Sequence, residues 1–202
     1  MAYFPMFVDL SKKPCLIVGG GQVAYRKVKV MLDFEAKLTV VAKEICQELR
    51  DLESSWADLD FPNIFEIKRR AFEEKDCEGM GLVIAATDDK KLNHWIAQYC
   101  KEKGIMVNAV DQKDDCSFIF PSYVKEGNLI AAFSSSGNSP MLTQYLKGKE
   151  QEILTPFLGD LNEVMGHLRK KVISEYDTEE QRKAVLKKNL YQAIESGKLP
   201  KE

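Results

Sequence analysis

The chain is short of histidine and tryptophan, with two of each among 202 residues. Both histidines, His94 and His167, fall in helical patterns, and neither has a His, Cys or carboxylate partner at metal-ligand spacing, so no metal site is expected. Cysteine is scarce as well. Cys15, Cys46, Cys77, Cys100 and Cys116 are odd in number, scattered and without a CxxC pair, which argues against a disulfide framework and a zinc cassette. Cys15 and Cys100 lie within apolar patterns and read as small core residues. Cys116 sits in a polar loop and is left open as a thiol. Neither sign of charge is in surplus, since 29 Lys+Arg face 31 Asp+Glu for a net charge of -2. A chain without a basic field is a poor candidate for wrapping nucleic acid. No apolar run approaches the ~20 residues that a membrane-spanning helix needs. The stretch from Met1 to Leu10 lacks the basic start and apolar centre of a signal peptide, so a cytoplasmic protein with no membrane partner is expected. What is present is an ordinary globular mixture, 45% hydrophobic and 30% charged, with enough apolar surface to build a core.

The first half alternates short apolar runs with helical periodicity, the signature of a parallel sheet with crossover helices. Cys15–Val18, Leu38–Ala42, Phe65–Lys68, Gly81–Ala86 and Ile105–Val110 read as strands. Ala24, Val28 and Met31 recur at i, i+4, i+7, and Leu92, Ile96 and Tyr99, with Trp95 and Cys100 beside them, form a second helical stripe. After Asp111 the pattern changes. Phe118–Phe120 and Leu129–Phe133, joined by Lys125-Glu126-Gly127-Asn128, predict an antiparallel pair. Ser139-Pro140 predicts a capped helix start. Leu158, Leu161, Met165, Leu168 and Val172 predict a further helix. Thr178 and Gln181 predict a capping box, with Gly197 as the stop of the last helix. The expected fold is α/β: a Rossmann-like parallel sheet over residues 1–112, a small strand-rich segment over 113–148, and a C-terminal helical domain over 149–202.

The segment Leu16-Ile17-Val18-Gly19-Gly20-Gly21-Gln22-Val23-Ala24 is G-x-G-x-x-A directly after a strand and directly before a helix. Gly19 permits the tight turn, Gly21 lets a pyrophosphate approach the backbone, and Ala24 lets helix pack on strand. The helix N-terminus offers N–H groups and the positive end of its dipole to phosphate. Gly19, Gly20, Gly21, Gln22, Val23 and Ala24 are therefore candidate cofactor residues. The acid that normally holds the ribose 2′-OH at the end of the second strand is missing. There the chain reads Val41-Ala42-Lys43-Glu44, with Glu44 beyond the strand and Lys43 able to tolerate a phosphate, so this chemistry leaves NAD against NADP open.

Open parallel sheets bind ligands outside the carboxyl ends of their strands. Two acidic points fall there. Ala85-Ala86-Thr87-Asp88-Asp89 offers Thr87 and Asp88 to the cofactor, and Val107-Asn108-Ala109-Val110-Asp111 ends in a carboxylate facing the change of architecture. Asp111 is suited to act as a general base or to bind a cation, and equally to cap a loop. Asp114 and Asp115 read as solvated loop charges. Ser134-Ser135-Ser136-Gly137-Asn138-Ser139-Pro140 reads either as a capped turn or as a grip for a carboxylate.

Taken together and in order, these motifs resemble the precorrin-2 dehydrogenase family, single-module relatives of the N-terminal half of siroheme synthase. The matching residues are Phe4-Pro5-Met6-Phe7-Val8-Asp9-Leu10, the glycine turn with Arg26-Lys27, Ala85–Asp89 with Leu92-Asn93, Val107–Asp111, Phe118-Ile119-Phe120-Pro121-Ser122 and Ser134–Pro140. The resemblance spans about residues 3 to 150. It implies NAD-dependent oxidation of precorrin-2 to sirohydrochlorin in siroheme biosynthesis and, in some members, insertion of Fe²⁺. It implies that Asp111 is the essential aspartate, with Gln22, Val23, Lys43 and Glu44 on the cofactor and Ser135 near the tetrapyrrole. Asn108, Ser136 and Gly137 complete the candidate substrate contacts. It further implies a homodimer joined through about residues 113 to 147. Where relatives carry arginines after the Ser-Pro, this chain has Gln144, Tyr145, Lys147 and Lys149. The rival readings are a nucleotide-sensing regulatory domain and a scaffold that kept the fold without catalysis.

Overall fold

The computed structural model describes residues 3–57 and 64–200, which pack as two compact units divided between Ile119 and Phe120. The first unit is a five-stranded parallel sheet. Its strands are β1 (Pro14–Val18), β2 (Lys37–Ala42), β3 (Phe65–Arg69), β4 (Leu82–Ala85) and β5 (Met106–Ala109), in the order β3-β2-β1-β4-β5. This is the Rossmann-like α/β arrangement expected from the sequence. The crossover helices are α1 (Gln22–Asp33), α2 (Gln47–Ala57) and α3 (Lys90–Glu102).

The strands form where they do because both faces of a parallel sheet are covered, so each reads as a continuous apolar run. All of β4 is buried, as are β1 and β2 apart from their first residues. Helix α1 lays Ala24, Val28, Met31 and Leu32 on the sheet. Helix α3 buries Asn93, Ile96, Ala97 and Cys100. Its apolar stripe is thus centred one position away from Trp95, which lies at the edge, stacked on Tyr99 at 5.4 Å with Phe72 edge-on at 6.1 Å.

The connection from β3 to β4 is held by an ion pair. Arg70 clasps Asp76 with both guanidinium nitrogens, and Glu73 N–H donates to the same carboxylate at 2.9 Å. Asp76 is 8% exposed, and the Arg70 guanidinium holds its carboxyl below the ordinary 3.8, against the opposing effect of burial. A carboxyl lowered by folding stabilises above the unfolded value and loses that contribution as pH falls through its folded value. Urea midpoints are therefore expected to fall as pH drops below about 4. In Asp76→Asn that part of the slope disappears, and an unchanged slope would show that the pair contributes nothing.

The second unit holds a hairpin and three helices. Strand β6 (Ser122–Glu126) pairs antiparallel with β7 (Leu129–Phe133), followed by α4 (Pro140–Ile153), α5 (Pro156–Glu175) and α6 (Glu179–Ser196). The hairpin differs from the sequence expectation. Its first strand is Ser122–Glu126, and the apolar run Phe118–Phe120 is irregular chain leading into it. Pro121 supplies the reason, since it has no N–H for a ladder and suits the position before a strand rather than the middle of one. Helix α5 crosses the hairpin at Gly159, where a Cβ would lie 3.0 Å from the Glu126 carbonyl oxygen. Ser139 caps α4, Thr178 and Gln181 form a capping box on α6, and Gly197 ends α6 at φ 64. Helix α4 buries none of its residues, and Met141, Leu142, Tyr145 and Leu146 stand exposed along it. No helix among the described residues is long and apolar enough to cross a membrane.

Candidate active site

The strand register sets the first unit's candidate site. Val18 pairs with Val41 and Ala85, and Ala85 pairs with Ala109, so β1, β2, β4 and β5 end together. Backbone bonds continue past the strand ends: Gly19 N–H to Val41 O, Ala86 N–H to Val18 O, and Val110 N–H to Ala85 O, at 2.8 to 2.9 Å. Gly19–Ala24, Lys43, Glu44, Thr87, Asp88, Asn108 and Asp111 therefore gather along one edge of the first unit. Ser135, Ser136 and Gly137 belong to the second unit, on the loop between β7 and α4.

The three glycines of the turn do different work. Gly19 has φ +122, and a Cβ there would lie 2.2 Å from Ala86 O. Gly20 is equally constrained, because its Cβ would lie 2.1 Å from Glu44 O, where the chain after β2 closes on the turn. Cys46 N–H donates to Gly20 O at 2.8 Å to lock that closure. Around Gly21, by contrast, nothing lies within 4 Å of a Cβ. Gly21 is also the N-cap of α1, which has no side-chain cap and no acid in its first turn. The first four N–H groups of a helix lack intrahelical acceptors. An uncapped N-terminus beside open space fits a dinucleotide pyrophosphate. Ala24 is buried as the packing argument requires, and Val23 is half-buried. The Gln22 carboxamide reaches Glu48, whose carboxyl is held below its ordinary range first by its own backbone N–H and then by Gln22. Lys43 and Glu44 have exposed side chains.

Thr87 is held by Asn93, whose role the sequence pattern does not show. Asn93 Oδ1 accepts from Thr87 N–H at 3.2 Å and from its hydroxyl at 2.6 Å, while Asn93 Nδ2 donates to Thr87 O at 2.9 Å. Asn93 is 2% exposed, so this carboxamide shapes the loop after β4 from within the core. Asp89 caps α3, accepting from Lys91 and Leu92 N–H. Asp88 is exposed.

Asp111 occupies a turn closed by Gln112 N–H donating to Ala109 O at 3.2 Å, and its φ is +60. Its carboxylate is exposed and has no hydrogen bond or ion pair among the described residues. Asn108 is buried, and its Nδ2 donates to Phe118 O at 3.1 Å and to Cys116 Sγ at 3.4 Å. Asp115 corrects the sequence expectation. It is 8% exposed, bonded to His94 Nδ1 at 2.8 Å and accepting from Gln98 Nε2 at 3.2 Å. A loop carboxylate escapes solvation here because α3 packs under it, which no local pattern announces. Lys27 on α1 is half-buried, and burial, then the nearby Arg26 guanidinium, lowers its ammonium below the ordinary range.

In the second unit the hydroxyl-rich loop is organised by its own backbone. Ser139 N–H donates to Ser135 Oγ and Ser136 N–H to Ser134 Oγ, each at 3.0 Å, and Leu142 N–H donates to Ser139 Oγ at 3.2 Å. Ser136 and Gly137 both have positive φ, 54 and 83. A hydroxyl that accepts from backbone keeps its own proton to donate. The capped turn is therefore present and remains compatible with gripping a carboxylate.

The family described as "Putative NAD(P)-binding" matches residues 6–122. Siroheme synthase of Buchnera aphidicola subsp. Acyrthosiphon pisum is 39% identical over 173 residues, covering 84% of this chain and 34% of the relative. Siroheme synthase of Ruthia magnifica subsp. Calyptogena magnifica is 33% identical over 203 residues, covering 98% of this chain and 42% of the relative. The chain thus spans well under half the length of these relatives. Among solved structures, SirC, a precorrin-2 dehydrogenase, superposes with a TM-score of 0.79 at 23% identity, covering 95% of this chain and 91% of that one. The superposition shows a shared fold.

Proposed function

The chain belongs to the NAD(P)-binding family that matches residues 6–122, and from that premise we propose that it is an NAD-dependent precorrin-2 dehydrogenase, forming sirohydrochlorin for siroheme biosynthesis. The observation that carries this reading is an uncapped phosphate cradle at Gly21 sharing a strand-end edge with the unpartnered carboxylate of Asp111. The names of the siroheme synthase relatives and of the precorrin-2 dehydrogenase neighbour support the substrate.

Bound NAD⁺ would supply the hydride acceptor. The α1 N-terminus and the Gly21 backbone hold the pyrophosphate, and the loops bearing Lys43, Glu44, Thr87 and Asp88 receive the rest of the dinucleotide. Asp111 accepts the proton that the macrocycle gives up as it is oxidised. In the second unit the loop of Ser135, Ser136 and Gly137 offers hydroxyl and backbone donors suited to carboxylates, and in the first unit Asn108 holds the chain that follows Asp111. Were Fe²⁺ a second substrate, its entry would displace two pyrrole protons, which Asp111 would pass to solvent one at a time. A second copy of the chain covers the exposed apolar face of α4, giving a cytoplasmic homodimer.

Anaerobic precorrin-2 with NAD⁺ and the purified protein is expected to yield NADH and sirohydrochlorin in equal amounts, from a species that sediments as a dimer. Nucleotide binding without consumption of precorrin-2 would overturn the enzyme in favour of a nucleotide sensor or scaffold. Fe²⁺ added to sirohydrochlorin, with the spontaneous rate subtracted, tests the metal insertion separately.

A further inference from the structure

Resting on the reading of Asp111 as the proton acceptor, we infer that Cys116 is its positioning residue, a thiol clamp that holds the Ala109–Gln112 turn in the shape that presents the carboxylate. The left-handed region costs a residue with a Cβ roughly 1–2 kcal/mol, so the conformation of Asp111 must be imposed by its surroundings. The turn's own bond, Gln112 N–H to Ala109 O, is one constraint. The others converge on one sulfur. Cys116 Sγ lies 3.2 Å from Ala109 O and 3.4 Å from Gln112 O, the two carbonyls that bracket Val110 and Asp111. From the other side Asn108 Nδ2 donates to the sulfur at 3.4 Å. The thiol thus accepts a hydrogen bond from Asn108 on β5 and shares its own S–H between both ends of the turn.

The clamp is itself anchored. Asp115 is tied to α3 through His94 and Gln98. Ser117 exchanges backbone and side-chain bonds with Val107, its N–H donating to Val107 O and its Oγ accepting from Val107 N–H, each at 2.8 Å. Cys116 lies between these two fixed neighbours. Its chemistry suits the place, since the longer C–S bond brings the sulfur to 3.2 to 3.4 Å from all three partners, contacts that a hydroxyl on the same Cβ would make only at longer range. Burial, the largest influence on this thiol, pushes it above its ordinary value and keeps the S–H intact. A protonated thiol engaged on three sides is no nucleophile.

The test uses the full chain as Cys116→Ala and Cys116→Ser, each also in an Asp111→Asn background. Cys116→Ala is expected to lower kcat about 10-fold with KM for NAD⁺ within about twofold, and Cys116→Ser, which restores a donor, to recover about half of that loss on a logarithmic scale. In the Asp111→Asn background Cys116→Ala should cost nothing further, because a positioning residue acts only through the group it positions. Hydrogen exchange at the Gln112 amide should quicken at least about 10-fold in Cys116→Ala, while core strand amides stay protected. Losses that multiply in the double variant, or Gln112 exchange at the wild-type rate, would overturn the inference. Should Asp111→Asn alone retain full activity, the reading of Asp111 fails, and Gln112 exchange still decides whether the thiol clamps the turn.

Discussion

Asp111→Asn is expected to lose between about 10² and 10⁴ of turnover, the range a positioned general base contributes. NAD⁺ affinity should change by less than about twofold, because the cradle at Gly21 makes no contact with that carboxylate. The backbone makes a stronger version of the experiment available. Asp111 has φ +60, a conformation in which asparagine is tolerated and glycine is unstrained. Asp111→Gly should therefore inactivate the protein while raising stability by about 0.5–1 kcal/mol, seen as a melting temperature a few degrees higher. Loss of rate with a gain in stability separates the chemistry of the carboxylate from any role in holding the fold. The carboxylate has no partner among the described residues, so the fold gives it up at no cost. Stopped-flow NADH formation, calorimetry with NAD⁺ and thermal melts are the three measurements. A fall in melting temperature for both variants would show that Asp111 serves structure, and full turnover in either would remove it from the reaction.

The second large effect concerns three neighbouring glycines that should answer in opposite ways. Gly20→Ala places a methyl 2.1 Å from the Glu44 carbonyl oxygen, with Ala42 and Ile45 at 3.0 Å behind it. Two backbone segments must separate, and a loss above about 3 kcal/mol is expected, among the larger single-residue effects. Gly19→Ala meets Ala86 O at 2.2 Å and carries the wrong φ as well, so it should be at least as damaging. Gly21→Asp meets nothing within 4 Å, at the ordinary φ of -84. It supplies the side-chain cap that α1 lacks, which should stabilise the helix by about 0.5–2 kcal/mol. That same carboxylate would occupy the anion cradle and is expected to weaken NAD⁺ binding by more than about 100-fold, through repulsion of the pyrophosphate. Denaturant midpoints and calorimetry should thus move in opposite directions for Gly21→Asp. Unchanged NAD⁺ affinity would place the dinucleotide elsewhere.

The candidate site was partly visible in the chain. Gly19 and Gly21 could be singled out because their demands are local, a sharp turn and a bare backbone between a strand and a helix. Gly20 could be named but its reason could not be read, since the oxygen that excludes a side chain belongs to Glu44, on the far side of α1 and β2 in sequence. Asn93 lay inside a quoted motif, yet its hold on Thr87 depends on how α3 turns one face under the β4 loop. Asp115 is hidden for the same reason, because two adjacent acids in a polar stretch look solvated until α3 is packed beneath one of them. The hairpin was half-legible. Leu129–Phe133 was recognised by its own residues, whereas its partner shifted from Phe118–Phe120 to Ser122–Glu126, since Pro121 and the pairing register choose between adjacent runs.

The succession of apolar runs, glycine turn and helical stripes by itself determined a parallel α/β sheet with a glycine-rich turn between its first strand and first helix, because these patterns arise within a dozen neighbouring residues. Only the tertiary structure decided which glycine the packing demands, which loop acid is buried, and how a thiol, a carboxamide and two carbonyls converge under Asp111. Those outcomes depend on strand ends brought side by side from distant parts of the chain, where a few tenths of an ångström decide whether a group is a partner or an obstacle.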